Sequence, residues 1–482
     1  MDQDIARTHV ERFLESAVDH PTLGLVYGRR RIGKSTLLDE LTAARGGFYW
    51  EATRGESAVH LARLGEALGR HLDAGRLSFD TWEEAVSRLL RLGESGPLPV
   101  VLDEVGYLLE SEPALDSVLA AALGPAGRRR ASGRARLVLC GSAMALMRAL
   151  TAGEAPLRGR AGMELVMQPF GYRAAARQLG EGAPLELAAR VYAVIGGVIG
   201  YSTDMVDHDL PEGPDDFDRW IVTRVLSPAA TLHHEATTLL AEDPTLSAAS
   251  PTLHHSILGA IANGSVTAGK IANRLRRPVP NLDPALKRLI AAGFVLRHED
   301  PLRAQRPAYA LADPFLQFHY ALLEPHGALL RDRDPQRTWR DRLSGIFDSR
   351  VRGPVFEELA RTWIRQHAAP ATVGGSAGNT GPSIVTIEGT QHELDLVVTS
   401  ADEPSAPPAE RAILALGEAK AGERVGSTRL RHLEEARAAL GTRAADARLL
   451  LFAPAFTQEL QATVARRADV ELVDLDRLYH GE

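Results

Sequence analysis

The stretch GRRRIGKST, residues 28–36, has a spacing with a direct chemical reading. Gly28 and Gly33 enclose Arg29, Arg30, Arg31 and Ile32, and Lys34, Ser35 and Thr36 follow. Glycines at these two places let a backbone curl around phosphates with its N–H groups turned inward, and the following helix adds its positive N-terminal end. Lys34 is then expected at the β- and γ-phosphates, and Ser35 on a Mg²⁺ ion. Further on, PLPVVLDEVGYLLE (97–110) ends an apolar run in Asp103 and Glu104. An acid at the end of a buried strand can hold the Mg²⁺ water shell, and the next acid can polarise an attacking water. In RLVLCGSAMALM (136–147), Ser142 has two open readings. Its hydroxyl either senses the γ-phosphate or caps a helix N-terminus. APLRGRAGMELVMQPFGY (155–172) brings Arg158 and Arg160, of which Arg160 is the preferred candidate for stabilising transition-state charge. The other reading is a solvated arginine.

A second constellation lies near the C-terminal end of the sequence: Glu357, Asp395, and the Glu418 and Lys420 of ALGEAKAGER. Residues two apart in a strand share a face, so Glu418 and Lys420 are expected to project together, with Asp395 at the end of a neighbouring strand. Two carboxylates make a hard oxygen site for Mg²⁺ or Mn²⁺, and Glu357, from a helix, would complete the shell. Such an ion polarises a phosphodiester and lowers the pKa of a bound water, while Lys420 orients that water or balances developing charge. Of 55 basic residues only four are lysine: Lys34, Lys270, Lys287 and Lys420. Two of the four stand at the named chemical positions, which random placement gives roughly once in 250 trials, and a compact ammonium serves beside phosphate or metal where a wide guanidinium does not. The plainer reading is a Glu418–Lys420 salt bridge on a fold that does not cut.

The other two lysines fall in a basic island. Between Pro251 and Ala310, nine Lys or Arg stand against three acids, giving +6 in a chain of net charge −7, so the remainder carries −13. Lys270, Arg274, Arg276, Arg277, Lys287 and Arg288 are the candidates for phosphate contacts. LHHSILGAIANG, VTAGKIANRLRR and NLDPALKRLIAAG predict three helices, the third capped by Asn281, and FVLRHEDPLRAQRPAYALADP predicts a hairpin. Three helices and a wing form a common DNA-binding plan, and also a common packing module. His254 and His255 are expected on a helix surface and have no zinc spacing.

GRRRIGKSTLL, VVLDEVGYLL, LCGSAMALM, PLRGRAGMELVMQPF and the later YAVIGGVIGY resemble the archaeal-type AAA+/STAND-like P-loop ATPases. Members of that family often carry a winged helix and a C-terminal domain similar to the PD-(D/E)XK nucleases. The resemblance implies ATP and Mg²⁺ as cofactors, with Mn²⁺ as an alternative at the C-terminal site. It implies DNA as a partner and raises a homo-oligomer as an expectation. The order helix-Glu, strand-Asp, strand Glu-x-Lys matches the nuclease arrangement at Glu357, Asp395, Glu418 and Lys420. The sequence departs from the family twice. An N-terminal Arg-Glu element is met only loosely, around Glu11 and Arg12, and Ile199 stands where a proline usually follows the pair Gly196 and Gly197.

These residues need an α/β, multidomain scaffold. The expected parts are a parallel-sheet ATPase core over 1–168, a helical lid over 169–248, a winged helix over 249–335, and a mixed α/β nuclease-like domain over 336–482, reached through the charged linker RDRDPQRTWRDRL. One cysteine, Cys140, excludes an internal disulfide and fits a reducing cytoplasm. The charged N-terminal stretch MDQDIARTHVERFLE lacks signal-peptide character, and no apolar run is long enough to span a bilayer. Two functions remain in view. One is an ATP-hydrolysing, DNA-binding protein that cuts DNA with its C-terminal domain. The other is a nucleotide-gated regulator that binds DNA or protein and keeps that domain as a scaffold.

Overall fold

In the computed structural model, residues 3–131, 133–247, 249–402, 406–422 and 424–482 are described. Residues 1–2 of the N-terminal stretch and 403–405 of the Pro-rich loop after the second C-terminal hairpin strand lie outside them. The chain divides into two units. The first comprises Met1–Gly171, Val198–Gly200 and Glu242–Ala249; the second comprises Tyr172–Gly197, Tyr201–Ala241 and Ser250–Glu482. The segment expected as a lid is therefore shared between them, most of it packing with the second.

Short apolar runs become the strands of the first unit: β1 (Thr22–Tyr27), β2 (Phe48–Glu51), β3 (Pro97–Asp103), β4 (Arg134–Gly141) and β5 (Ala161–Val166). All are parallel, in the order β2-β3-β4-β1-β5. The central strands are apolar almost throughout, as they must be with both faces covered. Leu25, Val100, Leu102, Leu137 and Leu139 are fully buried in the core. Helices α1 (Gln3–Leu14), α2 (Lys34–Ala43), α3 (Ser57–His71), α4 (Trp82–Arg91) and α5 (Val105–Ser111) surround this sheet, with Leu64, Leu68 and Leu89 in its core. Because β3, β4 and β1 are adjacent and parallel, the loops at their carboxyl ends meet, which is where open α/β sheets bind ligands. A feature without sequence signal is Arg136. Its buried guanidinium donates to the carbonyls of Ser16, Val18, His20 and Arg134, which fixes the segment after α1.

The second unit begins with helices including α6 (Leu185–Ile195). Then come α7 (Pro251–Ala262), α8 (Ala268–Leu275), α9 (Val279–Ala291) and an antiparallel hairpin, β6 (Val295–His298) with β7 (Ala308–Leu311). Thr267 caps α8 through its hydroxyl, 3.3 Å from Lys270 N. The third helix starts earlier than expected, with Pro278 as its N-cap, so Asn281 lies inside the helix. Pro278 supplies the extended residue that precedes a first turn, and the helix tolerates Pro284 within it. His254 is buried and His255 bonds Tyr320 Oη at 2.7 Å, so neither is the surface residue expected.

The charged linker is also corrected. Helical structure continues from Pro335 to Gln366, with wide turns at Trp339–Leu343 and Phe347–Arg352, and ends in α10 (Gly353–Gln366). Trp339, Leu343, Phe347 and Val351, four apart, are all buried, and Trp339 and Phe347 rings pack 5.7 Å apart. The arginines and aspartates between them hid this apolar stripe. The C-terminal sheet contains β8 (Ala377–Ile387), β9 (Thr390–Ser400), β10 (Ile413–Ala419), β12 (Arg448–Phe452) and β14 (Val470–Val473), and a side ladder pairs β11 (Arg424–Val425) with β13 (Ala455–Phe456). Its order is β14-β12-β10-β9-β8, parallel from β14 to β10 and antiparallel beyond. The Gly-rich stretch ATVGGSAGNTGP (371–382) is strand over its second half, because β8 starts at Ala377. Glu388 and Gly389, both at positive φ, make the two-residue turn into β9. Helix α11 (Ser427–Ala439) covers the sheet with Leu430 and Leu433. Among the described residues no helix is long and apolar enough to cross a membrane.

Candidate functional site

In the first unit, β1 runs into the 28–35 loop and α2 begins at Lys34. Gly33 is left-handed, at φ 87°, and Arg31 lies at φ 63°. A Cβ on Gly28 would sit 2.4 Å from the Met167 carbonyl oxygen, so no side chain fits there. Lys34 is buried and its Nζ donates to Arg29 O at 2.8 Å. Burial presses its pKa down, against the pull of Cys140, Glu104 and Asp103. Ser35 and Thr36 are exposed at the start of α2. Arg30 pairs with Glu242 at 2.6 Å and reaches Tyr107 Oη at 3.2 Å. The carbonyl of Arg31 accepts from Gly200 N at 2.9 Å, so the turn containing Ile199 meets this loop. Arg29 and Ile32 are buried in the loop.

Asp103 is fully buried at the end of β3. Burial pushes its pKa up, but hydrogen bonds from Cys140, Ser35, Tyr49 and the Glu104 backbone outweigh this and hold it below the usual range. Two of these contacts are 2.5 Å from Tyr49 Oη and 2.7 Å from Glu104 N. Ser35 therefore lies close enough to Asp103 to help hold its carboxyl ionised. Glu104 is left-handed, at φ 48°, and begins α5. Its carboxylate accepts from Ser142 Oγ at 3.0 and 3.2 Å. The next helix is preceded by Ala143 and has no side-chain cap, so Ser142 serves the carboxylate rather than a helix end. Arg160 bonds within its own loop. Its Nε donates to Pro156 O at 3.1 Å and its guanidinium lies beside Gly124. Arg158 bonds Gly153 O on the exterior. Tyr49 and Cys140 carry no sequence signal as partners of Asp103, since their strands come next to β3 only through the sheet order.

The loop fits a nucleoside triphosphate on these observations. A backbone that excludes any side chain at Gly28, a buried ammonium donating to a loop carbonyl, and a ten-residue helix starting at the loop together make an anion cradle. Ser35 and Asp103 would supply hard oxygens for Mg²⁺ there.

In the second unit, pairing of Leu396 with Gly417 sets Asp395 level with Glu418 on adjacent strands. Asp395 lies in the middle of β9, not at its end. Lys420 Nζ stands 3.0 Å from Asp395 Oδ2 and 2.8 Å from Glu418 Oε1. Ala419 N also donates to Asp395 Oδ2, at 2.9 Å. Lys420 lies just past β10, and its backbone N–H continues the pairing to Phe452 O. Burial works to lower its pKa, and the two carboxylates more than compensate. Burial, then Asp395, raise Glu418. Glu357, on α10, is pushed up to about 7 by burial and by Asp395. Arg361 stands between these elements, 3.8 Å from Glu357 and donating to Asp395 O at 2.8 Å. Among the described residues, no group of three or more His, Cys, Asp or Glu side chains is disposed to hold a metal ion. Glu357 therefore does not close a three-carboxylate cage. Asp395 and Glu418 remain a two-carboxylate pair with the Lys420 ammonium against both.

The six candidate DNA contacts separate. Arg274, Arg276 and Arg277 are exposed around the end of α8. Lys287 pairs with Asp283 at 2.7 Å, and Arg288 is half-buried on the same helix. Lys270 pairs with Glu393 of β9 at 3.1 Å.

No family model matches the chain. A curated relative, the uncharacterized protein MJECL04 of Methanocaldococcus jannaschii, is 22% identical over 352 residues, 70% of this chain and 72% of the relative. The Walker-type ATPase PABY2304 of Pyrococcus abyssi is similar at a TM-score of 0.46 and 21% identity, over 66% of this chain and 95% of that one. The Aeropyrum pernix ORC2 protein, in its ADPNP–ADP complexes, is similar at 0.39 and 16%, over 68% and 92%. Cdc6p from Pyrobaculum aerophilum is similar at 0.32 and 14%, over 68% and 93%.

Proposed function

We propose that this chain is a P-loop ATPase that binds DNA. The observation that carries this reading is the meeting of three strand ends. The 28–35 loop, the buried Asp103 and the Glu104–Ser142 contact come together at the carboxyl edge of one parallel sheet. Loop N–H groups and Lys34 would hold the phosphates, and Ser35 and Asp103 would hold Mg²⁺, which neutralises charge on the phosphoryl oxygens. Glu104, aimed by Ser142, would orient and deprotonate the attacking water. Arg160 makes no hydrogen bond with this group among the described residues, so the water-orienting pair is the supported part of the catalytic set. Calorimetric titration with Mg²⁺-ATP tests the cradle. Wild type should bind, and Lys34→Ala should lose at least about tenfold in affinity, since one charge-assisted contact is worth roughly 1.5–3 kcal/mol. Equal binding by both would remove Lys34 from the site.

A second activity has its own observation: two carboxylates and an ammonium within 3.0 Å, on adjacent strands of a mixed sheet. We infer a metal-dependent phosphodiester hydrolase there, with Mg²⁺ or Mn²⁺ on Asp395 and Glu418, Lys420 beside the scissile phosphate, and Glu357 as a nearby protonatable group. Incubation of supercoiled DNA with either ion should give cutting that Asp395→Ala and Lys420→Arg abolish. Intact DNA under all conditions would leave the domain as a scaffold in a nucleotide-gated regulator.

A further inference from the structure

The hairpin β6–β7 lies against the C-terminal sheet. Asp300, at its turn, accepts from Ser383 Oγ of β8 at 2.6 Å, and both are buried. Its other contact, from Leu302 N at 2.9 Å, fixes the turn itself. Gly381 is close enough that a Cβ there would be 3.0 Å from Glu299 O. His298 stands 3.3 Å from Glu358 of α10, and Lys270 pairs with Glu393. A hairpin seated this way is not free to enter a groove of a duplex. It instead lines a cleft of about 610 Å³ that Glu357 and Asp395 also line.

The chemistry of that cleft is two-sided. Ile261, Val266, Pro307 and Ile384 line it with apolar surface, while Arg303 and Arg306 project from the hairpin. Among the described residues neither of these guanidinium groups has a hydrogen-bond or ion-pair partner. Apolar walls beside unpaired cations suit a strand whose bases are splayed and whose phosphates are accessible. A stacked duplex offers neither its base faces nor a width that such a cleft accepts.

We propose that this cleft binds single-stranded nucleic acid, with Arg303 and Arg306 on its phosphates and the bases against the apolar wall. The assignment rests on the phosphodiester reading of the carboxylate pair, toward which it would lead the strand. Duplex contact would fall instead to the exposed Arg274, Arg276 and Arg277.

The test is fluorescence anisotropy of a labelled oligodeoxythymidine and of a labelled duplex, with the full chain in EDTA so that nothing is cut. Wild type is compared with the double variants Arg303→Glu/Arg306→Glu and Arg303→Gln/Arg306→Gln. Single-strand binding should fall roughly tenfold or more in the charge-reversed protein and less in the neutral one, at unchanged melting temperature. Duplex binding should change little. Single-strand affinity equal in all three proteins, or duplex affinity falling in parallel, would overturn the assignment. Repeating the incubation with Mg²⁺ separates the two claims: binding that depends on these arginines without cutting sinks the hydrolase and leaves the cleft assigned.

Discussion

Glu104 shows how much one side chain's setting decides. It opens α5 in a left-handed conformation, which non-glycine residues rarely adopt, and Ser142 holds its carboxylate with two contacts. Glu104→Gln should bind ATP as wild type does yet release phosphate about 10²–10⁴-fold more slowly, since the amide cannot take a proton. Phosphate release beside nucleotide binding checks this, and near-normal turnover would take Glu104 out of the mechanism. A different residue sets an acid limit on stability. His319 is buried between Phe315 and Tyr320, and burial lowers its pKa to about 3. The unfolded chain protonates this imidazole near 6.5 while the folded chain does not, so stability falls as pH drops below 6.5 and continues to fall toward 3. Between pH 7 and 5 this residue alone should cost about 2 kcal/mol. Urea unfolding of wild type and His319→Phe at both pH values checks it; equal losses in the two proteins would contradict the assignment.

At the scale of elements, the strands and the phosphate loop were legible because parallel strands are continuous apolar runs and the loop has fixed spacing. The helix-helix-helix-hairpin order was legible too, since its caps and turns are local. Contacts that arise only when distant strands become neighbours were not, as Tyr49 and Cys140 on Asp103 illustrate. The same holds for Lys420 between Asp395 and Glu418, where the residues were named but the ammonium's bridging position and the exclusion of Glu357 were not. The segment at 331–343 failed for another reason: charge density outweighed a four-residue apolar repeat. Trp339→Ala should therefore cost about 3–5 kcal/mol, as core truncations of large aromatics do, rather than the near-zero cost of a linker change. Chemical denaturation decides between the two, and a loss below about 0.5 kcal/mol would restore the linker.

Across the whole molecule, charge is uneven, with +6 between Pro251 and Ala310 and −13 elsewhere. Duplex affinity should accordingly fall steeply with salt, and neutralising Arg274, Arg276 and Arg277 should reduce the slope of log K against log salt by up to about 3. An unchanged slope would make this part of the second unit a packing module. The first unit, however, is proposed to hydrolyse nucleotide. The most direct test of this is steady-state phosphate release from Mg²⁺-ATP by the full chain, wild type beside Lys34→Ala. Wild type should show turnover that requires Mg²⁺ and falls to background in the variant. Turnover that survives the loss of Lys34, or no turnover by wild type with Mg²⁺ and DNA both present, would contradict it.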